Sequence, residues 1–549
     1  MVKKNNRGLV LFLKISVLIF GFFLLLVFAI NPTLEKMLAK QIELKLLGNF
    51  NYTYESLEVD LWTGSVAFKE IKWSFPKDST AVEQEGSIEK ISINGIALRI
   101  LLGDTDIKID KILFDNPEML LRISDNAPLK DSVEQKDKYI KFSFYSLFQG
   151  KINSLRIRSI SIKNGNATWI SLADNKVRRT IKNAQLQVDD IELDAEIAEA
   201  NNGWFSLSNV HLDCAGGELF LPDSLHKIKT GKIHLDYKGS AITIDSIVLV
   251  PLYAKSEMSR AYKFEIDWID LLAERVDISA IDLHTLMVEG KVRIANVLVE
   301  GLSLNAFRDK TLDQGPKNYL PLPQVSLKNL GVNIKIDSVN IKNATIIYEE
   351  RNEKTKKSGT VSFTKLNAQI YHITNDSISC IQTPTAKMRV NTKLMGKIDL
   401  NVDFGFVLNN DKGDHWLKGS IKDFDLKMFN PVCEPLSSVS IRSGKVEKIN
   451  FDVRLNDHVA DGKMTFLYSD LKIDMLDENY SKSSRKIKTI SFLANTFLVK
   501  KSNPSGKKEP RIGIIHFERL KEKSIFHFWS KSLLTGVKST LISTEENKK

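Results

Sequence analysis

Apolar and polar residues alternate along most of the chain beyond residue 50. The clearest run places an apolar residue at every second position, namely Ile398, Leu400, Val402, Phe404, Phe406 and Leu408. A period of two is typical of a β-strand with one buried face. Long amphipathic-helix patterns are scarce between residues 50 and 510. The sequence therefore predicts a mainly β protein.

A second pattern recurs, with apolar residues at positions 1, 3, 6 and 8 of an octet. The octets begin at Ile107, Leu155, Ile242, Val292 and Ile334. On a helix these four positions would share no face, whereas in a strand they alternate, slip by one residue and alternate again. Such a slip indicates a β-bulge or a tight strand reversal.

Two of the octets belong to longer segments that resemble each other. These segments are LRIRSISIKNGNATW from Leu155 and IKIDSVNIKNATIIY from Ile334, and the blocks KNAQLQV and KLNAQIY follow them downstream. Repetition at a period of about 40–50 residues indicates stacked units that share one apolar surface. Two arrangements of that surface stay open: stacked β-sandwiches, or an open trough whose lining is covered by lipid.

The N-terminal segment is strongly apolar. Residues 8–30 carry a single charge, Lys14, and follow Lys3, Lys4 and Arg7. A segment of this length covers the ~30 Å hydrocarbon core of a membrane, and the positive-inside bias places residues 1–7 in the cytoplasm. We therefore predict a single-pass anchor with the bulk of the chain translocated. The alternative is a cleaved signal peptide, since residues 27–29 loosely fit a cleavage site.

The C-terminal end contains a predicted linker and a predicted helix. Residues 500–511 are polar and basic and contain Pro and Gly, which is typical of a linker. Within residues 512–549, an apolar residue recurs every four positions, at Ile525, Trp529, Leu533, Val537 and Leu541. This amphipathic helix either lies in a membrane interface or docks on the end of the sheet. The candidate membrane-interface residues are Phe526, Phe528, Trp529 and Lys531.

The net charge of +11 is concentrated at the two ends of the chain. Residues 1–30 carry +4, residues 481–549 carry 16 Lys/Arg against 5 Asp/Glu, and residues 31–480 carry 58 − 62 = −4. Phosphate binding needs clustered positive charge, so this distribution argues against a nucleic-acid partner. Basic ends instead favour termini that approach anionic membrane surfaces.

The chain offers no recognisable catalytic signature. P-loop, GxGxxG, HExxH and GxSxG sequences are absent, and the nine histidines are scattered. The three cysteines, Cys214, Cys380 and Cys433, form no CxxC pair, which excludes a disulfide framework and a cysteine-built zinc site. We therefore predict no enzymatic activity, no cofactor and no metal site.

Several segments resemble the AsmA-like proteins of Gram-negative envelopes. They are the anchor followed by YESLEVDLWTGSVAFKEI from Tyr54, the stretch from Ile346 to Ile370, the segment from Asp423 to Leu476 and FHFWSKSLLTGVKSTL from Phe526. The resemblance implies an inner-membrane-anchored periplasmic protein with an elongated, twisted, repetitive β-sheet trough. It also implies an N-terminal β region over residues 31–330 and an AsmA-like region over residues 331–499.

The resemblance further implies that the chain moves phospholipid between the inner and outer membranes or supports outer-membrane biogenesis. An apolar groove would serve this purpose, because exposing one acyl chain to water costs about 0.8 kcal/mol per CH₂ group. The candidate groove residues are Ile107, Ile109, Ile157, Ile244, Ile294, Ile336, Leu400, Val402 and Phe404. The expected partners are phospholipids, the inner membrane through residues 8–30, and the outer membrane or one of its proteins. The alternative function is a structural or assembly factor whose β-sandwich domains bind outer-membrane proteins.

Overall fold

A computed structural model describes residues 51–60, 63–75, 82–96, 105–123, 153–201, 204–316, 318–476 and 499–542. The described chain is mainly β, as the alternation predicts. It divides into two compact units. Unit 1 comprises residues 1–246 and 278–291, and unit 2 comprises residues 247–277 and 292–549. The predicted boundary between residues 330 and 331 thus falls within unit 2.

The strands of the described residues are numbered in chain order. They are β1 Asn51–Thr53, β2 Ser56–Asp60, β3 Ser65–Phe75, β4 Val82–Asn94, β5 Asp106–Ile123, β6 Ser154–Ser171, β7 Val177–Leu193, β8 Asn209–Cys214, β9 Gly216–Phe220, β10 His226–Thr230, β11 Ile233–Asp236, β12 Ala241–Ile244, β13 Ile247–Pro251, β14 Asp267–Ala273, β15 Arg275–Ile281, β16 Val292–Glu300, β17 Ser303–Asp309, β18 Ile334–Arg351, β19 Ser358–Thr374, β20 Thr385–Leu394, β21 Ile398–Val407, β22 His415–Asp425, β23 Val439–Leu455, β24 Val459–Met475 and β25 Ile512–Glu518.

Short helices connect some of these strands. They are α1 Ala195–Ala200, α2 Lys255–Tyr262, α3 Leu283–Glu289, α4 Pro323–Lys328, α5 Ser377–Gln382, a 3₁₀ helix Leu426–Phe429, α6 Asn430–Ser437 and α7 Ile525–Leu541. Side-chain caps explain where several of them begin: the carboxylate of Asp194 accepts a hydrogen bond from the backbone N–H of Ile197 at 2.8 Å and so starts α1.

In unit 1 the strands pair mostly with their sequence neighbours. Strands β3, β4 and β5 are antiparallel, whereas β5 and β6 are parallel. The antiparallel ladder resumes with β6 and β7, and β7 pairs with both β8 and β9. From β8 the sheet continues through β11 to β12.

Unit 2 repeats this mixture of parallel and antiparallel pairs. The long strand β18 pairs in parallel with β16 along its first half and with β17 along its second half. Strand β17 also pairs with β14, which pairs with β13. From β18 to β25 each strand is antiparallel to the next one in the chain.

The slip that the octets predict is visible in β5. Its four apolar residues, Ile107, Ile109, Ile112 and Phe114, are all buried and belong to one core cluster. Residues 107 and 112 have opposite parity, so strict alternation would send their side chains to opposite faces of the sheet. A local irregularity between Ile109 and Ile112 therefore brings both pairs to the same side.

The two similar sequence segments form similar structures. In β6 and β18 the shared Ile-Lys-Asn sequence places Asn164 and Asn343 in the left-handed backbone region, with φ of 54° and 52°. Asparagine tolerates this conformation better than most residues. Both strands shift register at this point, against β7 and β19 respectively. The sequence repeat is therefore also a structural repeat.

The C-terminal segment packs on the edge of unit 2. Helix α7 approaches β25 so closely that a Cβ on Gly513 would lie 2.3 Å from the carbonyl oxygen of Gly536. The predicted linker, residues 500–511, is also held in place. Asn503 is 1% exposed, and its side-chain amide donates to the carbonyls of Phe466 at 2.6 Å and Arg511 at 3.0 Å.

Candidate functional site

An uninterrupted apolar row crosses eight strands of unit 1. Residues directly opposite each other in a ladder place their side chains on the same face. Successive partners in the row are Phe68, Ile91, Phe114, Ile162, Leu186, Leu212, Leu235 and Ile242. The row joins strands far apart in the sequence into a single apolar strip.

Burial changes along this row. Phe68, Ile91 and Phe114 are at most 7% exposed and lie in the core of unit 1. Their core is closed by Ala198 of α1 and by a group of partly buried residues after it: Trp204, Phe205 and Leu207. From Ile162 to Ile242 the row is only half-buried. We call this half-buried part, Ile162, Leu186, Leu212, Leu235 and Ile242, the unit 1 apolar face.

Two comparable rows cross unit 2. The first consists of Leu249, Leu271, Leu304, Ile346, Phe363 and Leu394. The second consists of Val299, Ile341, Ala368, Val390 and Val402. Residues of both rows pack against Ala344 and Leu366, so the rows share one face of the sheet. Most of these residues are half-buried, and we call the two rows together the unit 2 apolar face.

The predicted groove residues fall into two classes. Ile107, Ile109 and Ile157 are at most 3% exposed and lie inside the closed core of unit 1. A half-buried group consists of Ile244, Ile294, Ile336, Leu400 and Val402. Ile294 and Ile336 are directly opposite each other in the β16–β18 ladder. Phe404 is 8% exposed, and its ring centroid lies 4.8 Å from that of Trp529.

A row of ionic residues borders the unit 2 apolar face. Arg308 on β17 is directly opposite Asp267 on β14 and Glu350 on β18. These three side chains lie on the same face of the sheet as Leu304. Arg308 Nη2 lies 2.6 Å from Asp267 Oδ2, and Lys310 Nζ lies 2.7 Å from Glu350 Oε1. Arg308 lies four positions after Leu304 on β17, so their Cα atoms are about 13 Å apart along the strand. We call Asp267, Arg308, Lys310 and Glu350 the ionic strip.

Burial and neighbouring charges perturb the groups along the ionic strip. Burial raises the pKa of Tyr348, and so does its hydroxyl's hydrogen bond of 2.9 Å to the carboxylate of Glu350. Burial is the largest single influence on the pKa of Arg308 and would lower it, but the charge and hydrogen bond of Asp267, together with the charge of Glu265, raise the pKa overall. Arg308 therefore stays charged although its side chain is largely shielded from water.

Helix α7 adds a partly buried lysine beside the strip. Burial lowers the pKa of Lys531, and the nearby charge of Lys310 lowers it further. Burial lowers the pKa of His527 to about 4, with Lys531 and Lys310 as further causes. His527 is therefore neutral at pH 7. Glu350 pairs with Lys310 and its charge also raises the pKa of Lys531, while Arg308 and Lys523 pair with Asp267 and Glu265.

The predicted membrane-interface residues do not share one environment. Phe526 is 67% exposed, whereas Phe528 is 1% exposed. Trp529 packs against the C-terminal core, with its indole N–H on His415, and Lys531 is partly buried. The structure thus places the apolar stripe of α7 on the sheet, which was the second of the two expectations for this helix.

Sequence reasoning missed the ionic strip. Its members come from three strands separated by about 40 residues each, and no local motif joins them. A signal was nevertheless present, because β17 and β18 both end in charged residues directly after their apolar positions, as in Phe307-Arg308-Asp309.

No model of a known protein family matches the chain, and no curated protein sequence matches it. Among the residues that the structure describes, no helix combines the length and apolar character needed to cross a membrane. The predicted anchor, residues 8–30, lies outside those residues.

Proposed function

We propose that this chain is an inner-membrane-anchored periplasmic protein that carries phospholipid along an apolar β-groove, between the inner and outer membranes. The transport would serve the biogenesis of the outer membrane. The observation that carries the proposal is the unit 2 apolar face, where a half-buried apolar row runs alongside the ionic strip. The anchor at residues 8–30 and the resemblance to AsmA-like proteins support the location.

The chemistry of this face fits a phospholipid. Acyl chains lie on the apolar rows, where each CH₂ group removed from water contributes about 0.8 kcal/mol. In this proposal the headgroup phosphate lies near Lys531, because a partly buried cation attracts an anion more strongly than one in water does. No single residue is essential to such a surface, so its function depends on continuity rather than on a catalytic group.

Photo-crosslinking tests whether lipid occupies this face. A photoreactive amino acid replaces Val390 in the unit 2 apolar face of the full chain, which is expressed in a Gram-negative host. A matched control replaces Gln369, an exposed residue on the opposite face of the adjacent strand. We expect phospholipid adducts at position 390 and at least ten-fold fewer at position 369. Equal labelling at both positions, or none at either, would refute the proposal.

A transfer assay tests whether the face moves lipid. Full chain in detergent is mixed with donor vesicles that contain fluorescent phospholipid and with unlabelled acceptor vesicles. Val390→Asp places a charge among acyl chains, at a cost of several kcal/mol, so transfer should slow at least ten-fold. Gln369→Asp should leave the rate within two-fold of wild type. Transfer that both variants support equally would favour the assembly-factor alternative.

A further inference from the structure

Two histidines and one aspartate meet on the polar face of unit 1. His211 and Asp213 lie two residues apart on β8, and His234 lies on β11 directly opposite Asp213. Both strands carry the same His-Leu-Asp sequence, at residues 211–213 and 234–236. Because Leu212 and Leu235 belong to the apolar row, the three polar side chains point to the other face of the sheet.

The two imidazoles contact the two carboxylate oxygens of the same aspartate. His211 Nε2 lies 2.7 Å from Asp213 Oδ2, and His234 Nδ1 lies 2.8 Å from Asp213 Oδ1. The two imidazole ring centroids are 4.9 Å apart. One ligand atom from each residue lies within 4.8 Å of the other two. All three side chains are 45–51% exposed, so an ion reaches them without any opening of the fold.

The direct ladder partners of the cluster carry no positive charge. Ladder partners around the cluster are Gln185, Gln187, Asp236, Ala241 and Thr243. Four of these are neutral, and the fifth, Asp236, is a carboxylate directly opposite His211. These partners therefore do not repel a cation, and the carboxylates of Asp213 and Asp236 attract one.

We propose that His211, Asp213 and His234 bind one divalent transition-metal ion, best satisfied by Zn²⁺. Two imidazole nitrogens and one carboxylate oxygen are ligands that Zn²⁺ prefers, and its coordination imposes little geometric demand of its own. Zn–N and Zn–O distances are about 2.0–2.2 Å, so small rotations of these exposed side chains must open the two His–Asp contacts slightly and set the three ligand atoms around one ion. Water completes the fourth position.

A metal ion here joins two strands that are distant in the sequence. The ladder of β8 and β11 encloses β9 and β10, and Asp213 and His234 are held in register by only four residue pairs. An ion bound to ligands on both strands stabilises this register and, with it, the alignment of Leu212 with Leu235 behind the site. The bound ion therefore stabilises the pairing of β8 with β11 and, through it, the unit 1 apolar face.

Titration of the full chain in detergent with Zn²⁺ tests the proposal. Calorimetry measures affinity and stoichiometry for wild type, His211→Ala, His234→Ala and Asp213→Asn. The matched control is His516→Ala, since His516 Nδ1 lies 2.7 Å from Asp461 Oδ1 on paired strands without a second histidine beside it. Mg²⁺ is the second control, because it prefers oxygen ligands.

We expect wild type and His516→Ala to bind one Zn²⁺ with the same Kd. Each of the three cluster variants should bind at least ten-fold more weakly, and Mg²⁺ should not compete. Zn²⁺ should also raise the thermal unfolding midpoint of wild type but not of His211→Ala. Absence of saturable binding, equal affinity in the cluster variants, or an equal loss in His516→Ala would overturn the proposal. Circular dichroism of each variant shows that the fold is retained.

Discussion

Trp529 donates its indole N–H to Nε2 of His415, 3.1 Å away, and so connects helix α7 to strand β22. The other ring nitrogen of His415, Nδ1, lies 2.9 Å from the carbonyl oxygen of Gly413 and donates to it. His415 is 3% exposed, and burial lowers its pKa to about 4, with the charge of Arg519 as a further cause. The imidazole is therefore a neutral, buried link between the helix and the sheet.

This link predicts an acid-sensitive contact. The unfolded chain binds a proton at His415 below a pKa of about 6.5, whereas the folded chain does so only below about 4. Stability therefore falls as pH drops through this window, and His415 alone removes about 2 kcal/mol between pH 8 and pH 5. Urea unfolding at the two pH values measures it. His415→Phe should show a smaller loss on acidification than wild type, and the exposed-site variant His458→Gln should match wild type. An equal pH dependence in His415→Phe would contradict the assignment.

The close approach of α7 to β25 predicts a steric effect. Gly513→Ala introduces a methyl group 2.3 Å from the carbonyl oxygen of Gly536, so the helix must move away from the strand. We expect the unfolding free energy to fall by about 1–3 kcal/mol and the C-terminal segment to become more sensitive to protease. The control is Ser530→Ala at an exposed position of the same helix, which should change stability by less than about 0.5 kcal/mol. Similar stability of both variants would show that the helix is not tightly packed.

The buried ion pair between Asp457 and Arg519 predicts a large mutational effect. The Arg519 side chain is 1% exposed, and Asp457 also contacts Lys521 at 2.8 Å. Asp457→Ala leaves a buried cation without its partner, which should cost about 3–5 kcal/mol. Asp452 makes an ion pair with Lys418 at 2.8 Å, but both side chains are more than half exposed. Asp452→Ala should therefore lower the free energy of unfolding by at most about 1 kcal/mol. Thermal unfolding of both variants measures the difference.

Two isoleucines at the same octet position differ in burial. Ile109 is 3% exposed in the unit 1 core, and Ile294 is half-buried in unit 2. Ile109→Ala should lower the free energy of unfolding by about 2–5 kcal/mol because it leaves a cavity. Ile294→Ala removes a side chain that is already partly in water, so its cost should be less than half as large. Hydrogen exchange of the flanking strands measures both effects, and equal losses would mean that Ile294 lies in a closed core.

Local sequence patterns were sufficient for the class of fold. Alternation predicts strands because successive side chains of an extended backbone point to opposite faces, a property that depends only on neighbouring residues. The octet slip and the repeated Ile-Lys-Asn segment were also predictable for this reason. The amphipathic period of residues 525–541 likewise predicted helix α7, whose bounds are Ile525–Leu541.

Composition was a poorer guide where tertiary contacts decide. Residues 500–511 have the composition of a linker, yet Asn503 satisfies buried carbonyl groups of β24 and of its own loop. A polar residue is predicted to be solvent-exposed when its hydrogen-bond partner cannot be identified from the sequence. The partner of Asn503 is the carbonyl group of Phe466, which lies 37 residues away. The same limit applies to His211 and His234, whose shared His-Leu-Asp sequence became meaningful only through the β8–β11 register.

The sequence alone determined the positions of the strands, of the repeated segments and of the one-residue shifts within them. Backbone geometry converts these local patterns directly into strands and bulges. The tertiary structure alone decided which of the apolar octets are buried under other residues. Ile107 and Val292 both begin an octet, but the residues after α1 close over the first, and the second stays half-buried. Burial is a property of what packs against a side chain, and that partner is chosen by the fold of the whole unit.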